Sequence, residues 1–368
     1  MLALYAAVFG YYYAALPCYI NASEKSTGSF SGAVLHESSK GCTYYLGSIP
    51  VKNVEVMKRE RPELIPCGTP FGIKCTTDGV MVISVEDKSP AQKAGMKAGD
   101  VIKNVNGCDV YSNDELAQAV QTSSGITNII LERKNGEIAL EISPRFNGEE
   151  FKIGAWVRDS AAGIGTLTFV DPQTSRFGGL GHSISDVTTG EAVPLKSGEI
   201  TSVEICGIVK GENGSAGELC GTITPNSDIG ILQCNTPSGI FGTLDIPANA
   251  EPVPMAYRQE VTTGDATILT TIDGEVPKEY SIRIDRINLL DLNGSKAMVI
   301  SITDKELLEK TGGIVRGMSG SPILQNGRIV GAVTHVLLND PTRGYGIFAE
   351  TMYDEMTNNN STDINSCV

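Results

Sequence analysis

Beyond Arg145 the chain becomes a succession of short apolar runs separated by glycine, and this pattern most narrows what it can fold into. The runs are "GIGTLTFV", "EITSVEICGIVKG", "GIFGTL", "YSIRIDRI", "KAMVISIT" and "GRIVGAVTHV". Each has the length of a strand, and several short strands at near-regular spacing predict a β-barrel or sandwich. Among them only "DKELLEKTGG" reads as a helix. The 41 glycines and a charged fraction of 20% suit the many turns such a fold needs. No strand–G-x-G-x-x-G–helix unit and no Walker loop occurs, so nucleotide cofactors are not expected.

Charge and cysteine usage exclude further classes. A net charge of -14 offers no basic face for phosphate, which argues against nucleic acid. Nine cysteines contain no C-x-x-C pair, so neither a structural zinc site nor a redox centre is expected. Buried free thiols are the expectation, although Cys206, Cys220 and Cys234 are near enough in sequence to pair. The three histidines (His36, His182, His335) form no local metal motif. No metal and no cofactor is expected.

The first twenty residues, "MLALYAAVFGYYYAALPCYI", carry no charge and have about the length of a membrane-spanning helix. They are read as a signal or membrane anchor over 1–22, and the polar "NASEKSTGSFSG" after them as an exposed linker. A linker with leading strands is expected over 23–66. From Cys67 to Pro144, "GVMVISV", "NIILERK" and "NGEIALEI" read as strands. "SNDELAQAV" reads as a helix, because Ser112 and Glu115 have capping-box spacing.

One stretch carries chemistry. In "GGIVRGMSGSPILQNGRIVGAVTHV", Ser319 lies between Gly317 and Gly320 and precedes Ser321-Pro322. Small residues around a serine allow a turn sharp enough to aim backbone amides at an oxyanion. A nucleophilic serine needs a base, and the base an orienting acid. His182 in "FGGLGHSISD" and His335 in "GRIVGAVTH" are equal candidates for the base. Asp171, Asp186, Asp304 and Asp340 are candidates for the acid. Asp304 also suits a helix start, since Thr303 and Glu306 have capping-box spacing. A binding scaffold without catalysis is the competing reading.

Two resemblances sharpen this. "SPAQKAGMKAGDVIKNVNG" (Ser89–Gly107) resembles the PDZ domains of bacterial proteases, which implies a PDZ domain over 67–145. Such domains take an extended peptide as an added strand. The implied peptide site is the loop Gly68, Thr69, Pro70, Phe71, Gly72 and Ile73, with Leu116 and Val120 on the groove floor. "GAWVRDSAAGIGTLTFVDPQTSRFGGLGHSISD" and "TGGIVRGMSGSPILQNGRIVGAVTHVLLNDPTRGYGIF" closely resemble the sporulation stage IV protein B (SpoIVB) peptidases. That resemblance covers most of the chain. It implies a mainly β protein with a chymotrypsin-like double β-barrel serine peptidase domain over 146–368. It further implies His182 as base, Asp304 as orienting acid, Ser319 as nucleophile, and the Gly317 and Ser319 amides as oxyanion hole. The expected partner is a protein or peptide substrate, a membrane-bound regulator of an intramembrane protease. The expected place is the space between mother-cell and forespore membranes. Self-cleavage within Asn21–Lys40 is expected as well.

Overall fold

The computed structural model describes residues 2–23, 28–30, 32–38, 41–123, 125–134, 136–245, 251–292 and 294–358. Strands form where apolar side chains alternate with polar ones. In Lys278–Ile287, Tyr280, Ile282 and Ile284 point inward while Glu279, Ser281 and Arg283 face solvent. A register shift between Ile284 and Arg286 returns Ile287 to the inner face. Six antiparallel strands close a barrel in the order Gly264–Thr270, Lys278–Ile287, Met298–Ile302, Asp340–Phe348, Arg328–Leu337, Pro322–Gln325. Its interior is filled by Ile268, Ile282, Ile300, Ile323 and Val333, each contributing about 1.5–3 kcal/mol by leaving water.

A second set of six closes ahead of it in the chain: Pro70–Val85, Leu195–Val209, Glu218–Thr236, Gly239–Leu244, Arg176–Gly179 and Ala155–Asp171, the last pairing back onto the first. Phe71, Leu167, Phe177, Ile200, Leu232 and Ile240 pack inside it. The expected double barrel is therefore what the glycine-punctuated runs build. Between the barrels, Phe169, Phe241, Tyr257 and Ile347 pack with Met352 and Met356. Those methionines lie on Ala349–Asn358, a helix that the sequence reading did not anticipate.

The PDZ unit grows from the far half of Pro70–Val85, onto which Val101–Val105, Thr127–Arg133 and Gly136–Ile142 are added in turn. Its core is Val80, Ile102, Leu116, Val120, Ile129, Leu131 and Ile153. The helix Asn113–Gln121 starts as expected, Ser112 Oγ accepting the Glu115 amide at 3.2 Å.

The expected peptide loop is a correction. Phe71–Ile73 are paired on both edges, with Gly163–Gly165 on one side and Ile200–Ser202 on the other, and Pro70 pairs with Thr166. Gly68 and Thr69 bond to Leu167, and Phe71 is buried in the first barrel. With the Gly68 amide bonded and Phe71–Ile73 held between two strands, this segment is barrel strand and not an open peptide-gripping loop. Leu116 and Val120 are on the PDZ helix as expected, and a groove of about 260 Å³ lies there, lined also by Ala117, Ile153 and Val157. Its strand side is the start of Ala155–Asp171, which pairs with Met81–Val85. Both ends are tied to the helix: Asn113 N donates to Asp159 Oδ2 at 2.9 Å, and Gln121 Nε2 to the Phe151 carbonyl at 2.8 Å.

The amino-terminal helix is shorter than a membrane-spanning one. Leu2–Ala15 is a helix of 14 residues. At 1.5 Å per residue it spans about 21 Å, short of a bilayer's ~30 Å core. Among the described residues no helix is long and apolar enough to cross a membrane. The expected leading strands are there as Gly41–Leu46 and Ile49–Lys58, and they form a five-stranded sheet with Tyr19–Ala22, Ser29–Phe30 and Ala33–Ser38, so the segment ahead of them is strand where an exposed linker was expected. Ala33 and Leu35 are buried there, continuous with the second barrel's core. Residues 24–27, 31 and 39–40 lie outside the described set. Eight cysteines are free thiols, Cys234 buried and Cys206 and Cys220 exposed; Cys367 lies outside the described residues.

Candidate active site

Ser319 sits on the turn that leads into Pro322–Gln325. Gly317 and Gly320, both at φ +97, bend the chain around it. A side chain at Gly320 is sterically barred, because a Cβ there would lie 1.9 Å from the Thr166 carbonyl oxygen. The turn is held by Met318 N to Val315 O, Ser321 N to Met318 O and Gly320 N to Val333 O. Among the described residues, the Gly317 and Ser319 amides donate to no acceptor. These are the two amides expected to form the oxyanion hole.

The two serines of the motif separate cleanly. Ser321 is fully buried, and its hydroxyl is committed to Met318 O at 2.7 Å and Thr270 Oγ1 at 2.9 Å. Ser319 is half-buried, with Oγ donating to the Thr334 carbonyl at 2.6 Å. Only Ser319 has room for a substrate.

The two histidine rings lie against each other. His335 follows Thr334 on Arg328–Leu337, and its ring lies 4.8 Å from the His182 ring, tilted by 37°. His182 enters from the loop after Arg176–Gly179, where Leu180 and Gly181 adopt positive φ. Its Nδ1 lies 2.8 Å from the Ser183 carbonyl. A carbonyl only accepts, so Nδ1 carries the proton and a neutral ring keeps its lone pair on Nε2. Burial lowers the His182 pKa, and the Ser183 bond opposes this. Burial, then His182, then Lys296 push His335 down to about 4. The His335 Nδ1 is buried and has no partner among the described residues. His36 is far from this cluster in the fold, its ring against Tyr45.

No candidate aspartate joins the histidines. Asp304 caps the helix Lys305–Thr311: Oδ1 accepts the Leu307 amide at 3.0 Å and Oδ2 the Ser281 amide at 3.5 Å. Its expected place beside His182 is thus corrected, since both oxygens face backbone amides elsewhere. Asp186 bonds the Thr188 and Thr189 amides and pairs with Arg158. Asp171 holds the turn at Gln173 and Thr174, and Asp340 bonds Thr342. The acceptor beside His182 Nδ1 is the Ser183 carbonyl.

Residues that sequence reasoning missed support this cluster. Asn235 Oδ1 accepts the Ile184 amide at 2.7 Å, and its Nδ2 donates to Ile184 O and Val193 O, pinning the loop after His182. Thr166 and Thr334 contact the turn at Ser319. No spacing signal marks such residues. A cleft of about 340 Å³ opens beside Gly317, lined by Ile164, Leu219, Ile223 and Arg316.

A serine on a glycine turn at the junction of two six-stranded barrels, with an imidazole in the correct tautomer and a PDZ unit attached, defines a PDZ-bearing chain of the serine-peptidase class. The SpoIVB peptidase S55 model matches residues 149–353, and a PDZ domain model matches 56–138. The first match covers more than half of the chain, which belongs to the SpoIVB peptidase S55 family. Curated relatives match over shorter stretches. Serine protease HTRA1 of Xenopus laevis is 30% identical over 69 residues, 19% of this chain and 15% of that protein. Cell division topological determinant MinJ of Bacillus subtilis is 27% identical over 85 residues, 23% of this chain and 21% of that protein. The chain thus spans only a small part of the length of these relatives. Among solved structures, the Rv3671c protease of M. tuberculosis in an inactive form aligns with TM-score 0.30 and 15% identity, over 53% of this chain and 83% of that one. The PDZ domain of an SdrC-like protein from Listeria monocytogenes aligns with TM-score 0.21 and 24% identity, over 22% and 90%.

Proposed function

We propose that the chain is a serine endopeptidase acting through an acyl-enzyme, with Ser319 as nucleophile and His182 as general base. The observation that carries this is the pairing of two unclaimed amides, at Gly317 and Ser319, with a neutral imidazole whose Nδ1 is fixed by Ser183. Ser319 Oγ turns from the Thr334 carbonyl toward His182 Nε2, which takes its proton as Oγ attacks the scissile carbonyl. The carbonyl oxygen becomes an oxyanion held by the Gly317 and Ser319 amides. His182 then gives its proton to the leaving amine, and water repeats the sequence to release the acid. The apolar side of the cleft at Ile164, Leu219 and Ile223 suits an apolar substrate residue.

The PDZ groove supports recruitment of protein or peptide partners. Membership of this family supports a signalling role in endospore formation, with a membrane-bound regulator of an intramembrane protease as substrate and self-cleavage as a processing step. Export or anchoring by the apolar amino-terminal segment belongs to the same proposal.

A fluorophosphonate probe tests the chemistry. The wild type should label, Ser319→Ala should not, and His182→Ala should label and turn over peptide on the order of 10⁴-fold or more slower. Labelling that persists in Ser319→Ala and vanishes in Ser321→Ala would move the nucleophile and refute the assignment.

A further inference from the structure

Three hydrogen bonds converge on Thr166, a residue 1% exposed on Ala155–Asp171. Its amide donates to the Ser319 carbonyl at 3.0 Å. Its hydroxyl donates to the Gly317 carbonyl at 2.7 Å. Its own carbonyl accepts the Leu180 amide at 3.3 Å.

The two carbonyls held by Thr166 bracket a single peptide unit. The Gly317 carbonyl belongs to the Gly317–Met318 peptide, and the Ser319 carbonyl to the Ser319–Gly320 peptide. Between them lies Met318–Ser319, whose N–H is one of the two unclaimed amides. Peptide groups are planar, so anchoring both neighbours fixes the direction of that N–H. The Met318 carbonyl of that same unit is held by the Ser321 amide and hydroxyl, and Thr166 adds a restraint from the other barrel beside a glycine at φ +97 that has no side chain of its own. The third bond reaches the base, since Leu180 precedes His182 by two residues. One residue of the first barrel thereby sets the turn carried by the second barrel and the loop carrying the imidazole.

We infer that Thr166 is a positioning residue for the oxyanion hole, its hydroxyl acting through Gly317 to keep the Ser319 amide aimed. This rests on the serine-peptidase reading above. The Thr166 amide bond is backbone and survives any substitution but proline, so the hydroxyl is the separable part. Thr166→Val removes it with little change of shape and keeps the β-branch suited to a strand. Thr166→Ser keeps the hydroxyl and loses a methyl group.

The test is steady-state cleavage of a short peptide, with affinity for a peptide boronate measured in parallel as a mimic of the tetrahedral state. Loss of a whole oxyanion donor lowers kcat roughly 10²–10³-fold, and a misaimed one should cost less. Thr166→Val should lower kcat about tenfold to a hundredfold, weaken the boronate by a similar factor and leave KM within about threefold. Thr166→Ser should recover most of the kcat. Wild-type kcat in Thr166→Val, or equal losses in Val and Ser, would overturn the inference. If Thr166→Val proves too unstable to purify, Thr166→Cys, with a weak donor of similar size, is judged by the same ratios. A wild type that neither labels nor cleaves refutes the peptidase reading; an active wild type with an unaffected Val variant refutes only the role of Thr166.

Discussion

Replacing His335 with Phe should flatten the acid side of the stability profile. His335 is pushed down to about 4 by burial, the adjacent His182 and the Lys296 ammonium. In the unfolded chain the same imidazole titrates near ~6.5. The folded value is the lower one, so on acidification the unfolded chain binds the proton first. Stability from this group is therefore complete above pH ~6.5 and is lost as pH falls toward about 4, with a limiting slope of ~1.4 kcal/mol per pH unit. At pH 4.5 the unscreened loss would be ~2.7 kcal/mol; solvent reaches part of the ring, which reduces the expectation to about 1–2 kcal/mol. The lowered His182 pKa adds to the wild-type loss in the same direction and is shared by the variant. Urea unfolding of both proteins at pH 7.5 and pH 4.5 reads the difference, with carboxylate titration common to the two. The wild type should lose about 1–2 kcal/mol more than His335→Phe between these pH values. Equal losses, or a larger loss in the variant, would refute the reasoning. Activity gives a second check. The kcat/KM midpoint should lie below 6.5, because burial lowers the His182 pKa, and His335→Phe should keep it, because His335 is already neutral there.

Two further outcomes separate structural from functional roles. Asp304→Asn keeps one acceptor for the Leu307 amide, so it should cost at most about 1 kcal/mol of stability and leave peptide turnover intact in the cold; a hundredfold fall in kcat with the helix preserved would restore Asp304 as a catalytic acid. Ala117→Trp should fill the groove on Asn113–Gln121 and depress cleavage of a full protein substrate while sparing a short peptide; equal losses on both would make the groove structural.

What the sequence made legible followed local rules. Alternation placed the barrel strands, Ser112 marked its helix, and Gly317 with Gly320 marked a tight turn at Ser319. The misreadings came where long-range pairing decides. "CGTPFGIK" has the glycines of a peptide-gripping loop, yet Thr166, Gly165 and Ile200 claim it as barrel strand from positions far along the chain. Asp304 had two local roles open to it, and the arrival of Ser281 beside the helix start selected the cap. The orienting acceptor for His182 was invisible for a different reason: it is a backbone carbonyl, which every residue possesses. Ala349–Asn358 was missed because "AETMYDEMTN" offers only Met352 and Met356 as strongly apolar residues, and their burial depends on a partner surface made by both barrels.

The chain does not join its PDZ and peptidase units by a flexible linker, and this decides how recruitment and catalysis can be separated. Pro70–Val85 gives its first half to the first barrel and its second half to the PDZ sheet. Ala155–Asp171 does the same in the opposite direction: Ala155–Val157 walls the groove, and eleven residues after Ala155 the strand reaches Thr166 under the turn at Ser319. Removing 67–145 would therefore open the first barrel along both edges of Pro70–Val85. It would also leave Gly163–Thr166 without the strand that holds Thr166 in register. Loss of activity in such a deletion would follow from a broken barrel whether or not the groove binds anything. Point changes on the helix side of the groove leave both shared strands intact, so only those changes can show whether an occupied groove alters substrate turnover.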